Sequence, residues 1–144
     1  MADTTVIYRK DYQAPSHQVG SLELDIQIFE DRADITATMQ LSANDGADEI
    51  VLDGEHLTLH SVVVDGQSIS SAQYKYADGK LTISQLPQHC ELVVSSSCDP
   101  YHNTALEGLY NSQGMLCTQC EPEGFRRICF YLDRPDVLLS LIHI

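Results

Sequence analysis

Hydrophobic and polar residues alternate with a period of two along the first two-thirds of the chain. In "SLELDIQIF" (21–29) the leucines and isoleucines would face one side of a strand and the acidic residues the other, and "ADITATMQL" (33–41) repeats the pattern. The polar "EDR" between these segments is typical of a short turn. The pattern therefore predicts an antiparallel hairpin with one face exposed to water.

Two Asp-Gly pairs, Asp65-Gly66 and Asp78-Gly79, separate further alternating segments. Asp-Gly between such segments is a strong hairpin signal, because glycine adopts a positive φ without steric cost. With "IVLDG" and "ELVVSS", about seven or eight short strands are predicted at a spacing of about 8–12 residues. The sequence thus predicts one all-β domain, largely antiparallel and similar to a sandwich or a curved sheet.

The pattern changes near residue 98. The segment "CDPYHNTALEGLYNSQG" (98–114) is rich in turn formers and has no clean period, which favours an ordered surface loop. After it, "RRICFYL" can form a strand, and Asp133 with Pro135 could start a short helix over "DVLLSL".

The charge is strongly negative, with 21 acidic against 8 basic residues and a formal net charge of −13. Such a surface repels phosphate backbones and anionic lipids, so neither a nucleic acid nor a membrane surface is an expected partner. It suits a ligand that carries an amine, although the same charge could serve solubility alone.

No apolar run is long enough to span a bilayer, and "MADTTVIYRKDYQAP" does not resemble a signal peptide. The five cysteines are odd in number and irregularly spaced, which is typical of reduced thiols. We therefore expect a cytoplasmic protein.

Cys117-Thr-Gln-Cys120 has the spacing of a zinc knuckle or of a thioredoxin-type redox pair. A structural zinc site needs four ligands, and Cys90 and Cys98 do not form a second pair of this kind. A redox pair is expected in a βαβ unit, which the pattern does not predict. Thiols without a metal or redox role are the favoured interpretation, with a small zinc protein as an alternative.

His56 and His60 imitate the histidine pair of a zinc peptidase, but Leu57 stands where the glutamate base should be. The segment is also predicted as a strand, where two imidazoles four residues apart lie about 13 Å from each other. No metal site is predicted here.

Gln119 and Glu121 flank Cys120. If the backbone is extended, both polar side chains project to one face while Cys120 turns inward. A carboxylate beside an amide oxygen can accept hydrogen bonds from a primary ammonium, which has three donors. Spacing alone leaves open a polar loop with Glu121 simply in solvent.

Three blocks resemble a known family: "NTALEGLY" (103–110), "CTQCEPEGFR" (117–126) and "YLDRPDV" (131–137). They are similar to the N-terminal domain of the zinc aminopeptidases of the aminopeptidase N family, above all the bacterial cytosolic alanyl aminopeptidases. The resemblance covers about residues 8 to 138 and is dense from residue 101 onward.

The resemblance implies a saddle-shaped, largely antiparallel β domain with a loop that reaches into the active site of a downstream catalytic domain of the same chain. It implies that Glu121 binds the free α-amine of a peptide substrate and that Gln119 lines the same pocket. It also implies zinc as the cofactor of the whole enzyme, which removes N-terminal amino acids from peptides and serves peptide catabolism.

The zinc-binding H-E-x-x-H helix and the Gly-x-Met-Glu-Asn substrate loop of that family are absent from residues 1–144. We therefore expect no catalytic or metal-binding residue here, a partial domain, and no activity of this segment alone. The tail "SLIHI" (140–144) departs from the family pattern. The alternative is a non-enzymatic, acidic β-rich module that binds a protein partner through an open sheet edge or its acidic face.

Overall fold

The structure, a computed structural model, describes residues 8–140. The strands within them are β1 (His17–Ile28), β2 (Ala33–Ala43), β3 (Glu49–Asp53), β4 (Thr58–Val64), β5 (Gln67–Ser68), β6 (Tyr74–Ala77), β7 (Lys80–Ser84), β8 (His89–Cys98), β9 (Gly108–Ser112) and β10 (Met115–Gln119). Two short 3₁₀ turns are Arg9–Asp11 and Phe125–Arg127. Within residues 8–140 no helix has the length and apolar character needed to cross a bilayer.

The strands form three antiparallel sheets. The largest has the order β1-β2-β8-β4-β5, the second has the order β3-β7-β6, and β9 pairs with β10 as a separate hairpin. The two Asp-Gly turns connect β4 to β5 and β6 to β7, as their sequence pattern predicts. The prediction of an all-β, largely antiparallel fold is confirmed.

The two larger sheets contribute their inner rows to one hydrophobic core. Alternate residues of β2 from Ala33 to Leu41 are at most 2% exposed, and Leu92 and Val94 of the neighbouring β8 are at most 1% exposed. The second sheet adds Ile50, Leu52, Leu81 and Ile83. Because side chains alternate along a strand, the hydrophobic positions in the sequence select the buried face.

β1 has the same alternation as β2 but is much less buried. Ile26 of β1 pairs with Ile35 of β2. Ile26 is nevertheless 42% exposed, whereas Ile35 is 1% exposed. β1 lies at the edge of its sheet, next to β2 alone. The predicted hairpin is therefore confirmed, but the pattern did not predict how little of the β1 apolar face is covered.

The prediction of a strand over "RRICFYL" is wrong. Phe125–Arg127 forms a 3₁₀ turn, and the segment makes only an isolated β-bridge at Tyr131. Phe130 is fully buried, with its ring 4.9 Å from the ring of Tyr76. A Cβ at Gly54 would lie 2.3 Å from the Phe130 ring, so glycine makes room for it. The apolar side chains of this segment are buried although the segment does not pair as a strand. Its hydrophobic run therefore resembles a strand in the sequence.

The prediction of a helix over "DVLLSL" is wrong for residues 136–140, and Leu141 lies outside the described residues. Arg134 holds the Asp136 carboxylate with hydrogen bonds of 2.9 and 2.8 Å. The amide of Val137 donates to the carbonyl of Arg134 at 3.0 Å, which closes one turn that does not continue. The expectation for the tail 140–144 concerns mainly residues 141–144, which are likewise outside the described part.

Candidate functional site

The predicted site residues lie at the end of a hairpin whose first strand and turn fall within residues 98–114, for which the sequence predicts a loop. β9 and β10 pair over their full length. The two residues between them, Gln113 and Gly114, have φ values of 52° and 89°. Two positive φ values are typical of the type I′ turn that suits a hairpin. This Gln-Gly pair between "GLYNS" and "MLCTQ" is the signal that could have revealed the hairpin.

A tight turn follows β10 and carries Glu121; we call residues 120–124 the site turn. The amide of Gly124 donates to the carbonyl of Cys120 at 2.8 Å. The peptide bond between Glu121 and Pro122 is cis. A Cβ at Gly124 would lie 2.4 Å from the carbonyl oxygen of Gln119. The site turn can therefore close this tightly only with glycine at that position.

Gln119 and Glu121 both have exposed side chains. The Gln119 Nε2 donates to the backbone carbonyl of Glu121 at 3.0 Å, which ties the end of β10 to the site turn. Cys120, between them, is half-buried and packs against the core. Both polar residues thus stand at the surface, side by side.

Four acidic side chains around the site turn are paired with Arg126 or Arg127. The pairs are Asp133 with Arg126 at 2.9 Å, Glu123 with Arg126 at 3.3 Å, Glu107 with Arg127 at 3.1 Å, and Glu55 with both arginines at 3.7 Å. The Arg127 Nε–H does not point at Glu107 well enough for a hydrogen bond, so that contact is an ion pair alone.

Glu121 differs from these four. Within residues 8–140, its carboxylate forms neither a hydrogen bond nor an ion pair with another residue; its backbone carbonyl is the group that Gln119 contacts. The nearby arginines are already neutralised by the other four acids. An exposed carboxylate without a cationic neighbour is suited to receive a cation from outside this segment.

Cys117 and Cys120 do not belong to a larger group of potential metal ligands in the described chain. Among residues 8–140, no three His, Cys, Asp or Glu side chains are grouped so that they could hold a metal ion. Burial, with the negative charges of Asp133 and Glu121, raises the pKa of the Cys120 thiol. A thiol that stays protonated is a poor metal ligand and a poor nucleophile.

The two histidines of interest are also separate. His56 lies in a turn with a φ of 56°, not on a strand as expected. His60 lies on β4, and its Nε2 is 3.0 Å from the hydroxyl of Ser97. The arrangement contains no helical face that both imidazoles could share.

A cavity of about 620 Å³ lies beside the base of the hairpin. It is lined by residues 56–58, residues of 98–105, Leu109 and Arg127. Neither Gln119 nor Glu121 lines it. The predicted site is therefore an exposed edge and not a closed pocket within the described residues.

Comparison with protein families shows that residues 8–140 match the model of the Peptidase M1 N-terminal domain. The match covers the strands as well as the site turn. The matched range agrees with the resemblance noted in the sequence, which covers about residues 8 to 138, and that prediction is confirmed.

Individual proteins agree with this match. The chain is 42% identical to "Aminopeptidase N" of Escherichia coli over 132 residues, which are 91% of this chain and 15% of that protein. An aminopeptidase A from Legionella pneumophila, solved in complex with aspartic acid, superposes with a TM-score of 0.79 at 27% identity, over 89% of this chain and 16% of that one. A Deinococcus radiodurans M1 zinc metallopeptidase variant bound to a Tyr-Ser-Ala substrate superposes with a TM-score of 0.68 over 83% of this chain and 30% of that one. Its identity is 18%, so it shows the shared fold alone.

Proposed function

The chain belongs to the Peptidase M1 N-terminal domain family, and from this premise we propose that it is the N-terminal segment of a zinc-dependent aminopeptidase that removes N-terminal amino acids from peptides. The chain spans about 15% of the length of its Escherichia coli relative. In this proposal the catalytic domain and the zinc site belong to the rest of the parent chain. Among residues 8–140 no three potential metal ligands are grouped together, and the role we propose for this segment is substrate binding.

The contribution of this segment is the site turn. Glu121 accepts the α-ammonium group of the substrate, and Gln119 lines the same pocket. The supporting observation is the contrast between Glu121, which is exposed and without a cationic partner in the described chain, and the four neighbouring acids, which are paired with arginines. Gln119 uses its amide nitrogen to hold the site turn, which leaves its amide oxygen as a second acceptor.

This arrangement explains a preference for free N-termini. An internal stretch of peptide presents a neutral amide where an N-terminal residue presents an ammonium group. It would leave the Glu121 carboxylate desolvated and unpaired, which is costly for a charged group. A site built for a charged donor therefore rejects substrates that lack it.

The test is Glu121→Gln in the full-length enzyme. A hydrogen bond to a charged group contributes about 1.5–3 kcal/mol, so kcat/KM should fall about 10- to 150-fold while the zinc content stays unchanged. Glu23→Gln, at an exposed position of β1, is the matched control and should keep wild-type kinetics. Unaltered kinetics of Glu121→Gln would remove this residue from the site.

The segment by itself is inactive in this proposal, because it holds an amine anchor without a metal site. The purified 144-residue chain should show no turnover of an aminoacyl substrate under conditions in which the full-length enzyme is active. Turnover that scales with the concentration of the purified chain would contradict the assignment.

The enzyme acts in the cytoplasm and serves peptide catabolism in this proposal. Five free cysteines support it, because reduced thiols are typical of a reducing compartment. Fractionation of cells that express the full-length enzyme should recover its activity with cytoplasmic markers.

A further inference from the structure

Arg126 lies directly behind the exposed side of the site turn and connects it to a second segment. Its Nε donates to Asp133 Oδ2 at 2.9 Å, and its backbone amide donates to the same oxygen at 3.1 Å. One of its terminal nitrogens donates to the backbone carbonyl of Asp133 at 2.9 Å. The side chain of Arg126 is 15% exposed and that of Asp133 12% exposed, so both are largely shielded from water.

Residues 131–133, which we call the Asp133 segment, are in turn fixed to the second sheet. The amide of Asp133 donates to Asp53 Oδ2 at 3.2 Å. Asp53, at the end of β3, is 7% exposed and pairs with Lys80 of β7. Backbone hydrogen bonds of 2.7 and 3.0 Å join Asp53 to Tyr131. A chain of directional contacts therefore runs from the sheet to Arg126.

Arg126 also holds the site turn on its other side. Its guanidinium lies 3.3 Å from Glu123, which is two residues after Glu121. Its backbone carbonyl accepts a hydrogen bond of 2.9 Å from the amide of Glu55, just beyond β3. The residue thus contacts the site turn, the end of β3 and the Asp133 segment at once.

We propose that Arg126, braced by Asp133, is a positioning residue that holds the site turn so that Glu121 meets the substrate ammonium in the correct orientation. This inference rests on the function proposed above for Glu121. Arg126 is not itself expected to touch the substrate, since its donors are engaged by Asp133, Glu123 and Glu55.

The chemistry of arginine fits this role. Its planar fork can donate in several fixed directions at the same time, which a lysine ammonium on a flexible stem cannot reproduce. Burial alone would lower the pKa of Arg126, but the hydrogen bond to Asp133 and the charges of Asp53, Asp133 and Glu123 outweigh burial and raise the pKa above its usual value. The residue therefore stays charged across the working range of an enzyme.

The experiment is a double-mutant cycle in the full-length enzyme, with Arg126→Gln, Glu121→Gln and the double variant. Displacing a substrate-binding group costs about 10- to 100-fold in rate, so Arg126→Gln should lower kcat/KM by that factor. In the Glu121→Gln background the same substitution should have little further effect, because Arg126 acts through Glu121. Asp133→Asn should reproduce the behaviour of Arg126→Gln in both backgrounds.

Two further variants keep the test decisive. Arg126→Lys retains the charge and loses the planar guanidinium. Its kcat/KM should lie between those of wild type and Arg126→Gln. It takes the place of Arg126→Gln in the cycle if that variant does not fold. Arg32→Gln is the matched control, since Arg32 Nε also lies 2.9 Å from a carboxylate, that of Asp34, at the turn between β1 and β2. It should keep wild-type kinetics, and all variants should keep their zinc content.

The possible failures are distinguishable. If Glu121→Gln lowers kcat/KM while Arg126→Gln and Arg126→Lys do not, the positioning role is wrong and the amine anchor stands. Equal losses from Arg126→Gln in both backgrounds would show a general structural effect and would also overturn the inference. If Glu121→Gln itself has no effect, the proposed function fails and the inference fails with it.

Discussion

The β2–β8 core and the site turn are held in place by different interactions. In the core, alternate side chains of β2 and β8 are almost completely removed from water, and many neighbours share the resulting stabilisation. Residues 121–123 of the site turn are exposed to water. The turn is linked to the rest of the chain by the ion pair between Glu123 and Arg126, and Arg126 is in turn hydrogen-bonded to Asp133. A single substitution can therefore displace the site turn while the core stays folded. A substitution that unfolds the core is expected to displace the site turn as well.

A truncation in β2 gives the largest expected effect on this comparison. Ile35→Ala should lower the free energy of unfolding of the chain by about 2–5 kcal/mol, because it leaves a cavity among fully buried residues. Urea denaturation followed by far-UV circular dichroism measures this loss.

The matched control for that change is Ile26→Ala, at the position on β1 that pairs with Ile35. Ile26 is 42% exposed, so its truncation should cost about 1 kcal/mol or less. Equal losses of unfolding free energy at the two positions would mean that the β1 face is as well covered as the β2 face. That result would contradict the contrast between the core and the edge strand.

Gly124→Ala should have an intermediate effect, located in the site turn. The new methyl group would lie 2.4 Å from the carbonyl oxygen of Gln119, and overpacking of this kind costs about 1–3 kcal/mol. In the full-length enzyme, kcat/KM should fall, and the loss of stability should stay below that of Ile35→Ala. Gly20→Ala on β1 is the control, since a Cβ at Gly20 would lie 3.7 Å from its nearest atom. If Gly124→Ala changed kcat/KM as little as this control, the site turn would not require glycine at position 124.

The smallest expected effect concerns pH and the core. His17, at the start of β1, is 1% exposed, and its Nε2 has no hydrogen-bond partner within residues 8–140. Burial lowers the pKa of His17 in the folded state. Between that lowered pKa and about 6.5, the unfolded chain binds more protons than the folded one, so stability decreases as the pH falls below about 6.5. Urea denaturation at several pH values between 5 and 7 should show this slope.

His17→Asn should flatten that pH dependence, because the ionisable group is gone. His89→Asn is the matched control: His89 Nδ1 also lies close to a serine hydroxyl, that of Ser42 at 3.1 Å, but the side chain is exposed. Its substitution should leave the slope as in the wild type. A slope that is unchanged in His17→Asn would assign the pH dependence to other groups.

The sequence predicted the scaffold well and the region after residue 98 poorly, for a physical reason. Strand alternation is a local pattern, and it identifies β1, β2 and β8 without knowledge of their neighbours. After Cys98, apolar residues such as Phe130 are buried without a strand partner, so the same pattern misleads. The β9–β10 hairpin was missed because its turn residues, Gln113 and Gly114, give a weaker signal than Asp-Gly.

Two kinds of sequence signal concern the candidate site. The family resemblance implies roles for Gln119 and Glu121, whereas their spacing alone allowed an ordinary polar loop. The contrast between Glu121 and its four arginine-paired neighbours could not be seen in the sequence, since the arginines could pair with any of the surrounding acids. The assignment of the amine to Glu121 remains a prediction that the kinetic tests address.

The amino-acid pattern is enough to assign the inward face of each strand, because side chains alternate with a fixed period of two. How far each face is covered depends on tertiary packing, as the paired residues Ile26 and Ile35 show with 42% and 1% exposure. It alone also brought Asp53 next to the Asp133 segment, 80 residues later in the chain, and so built the support behind the site turn. Contacts of this range depend on the packing of all intervening strands, and no local pattern encodes them.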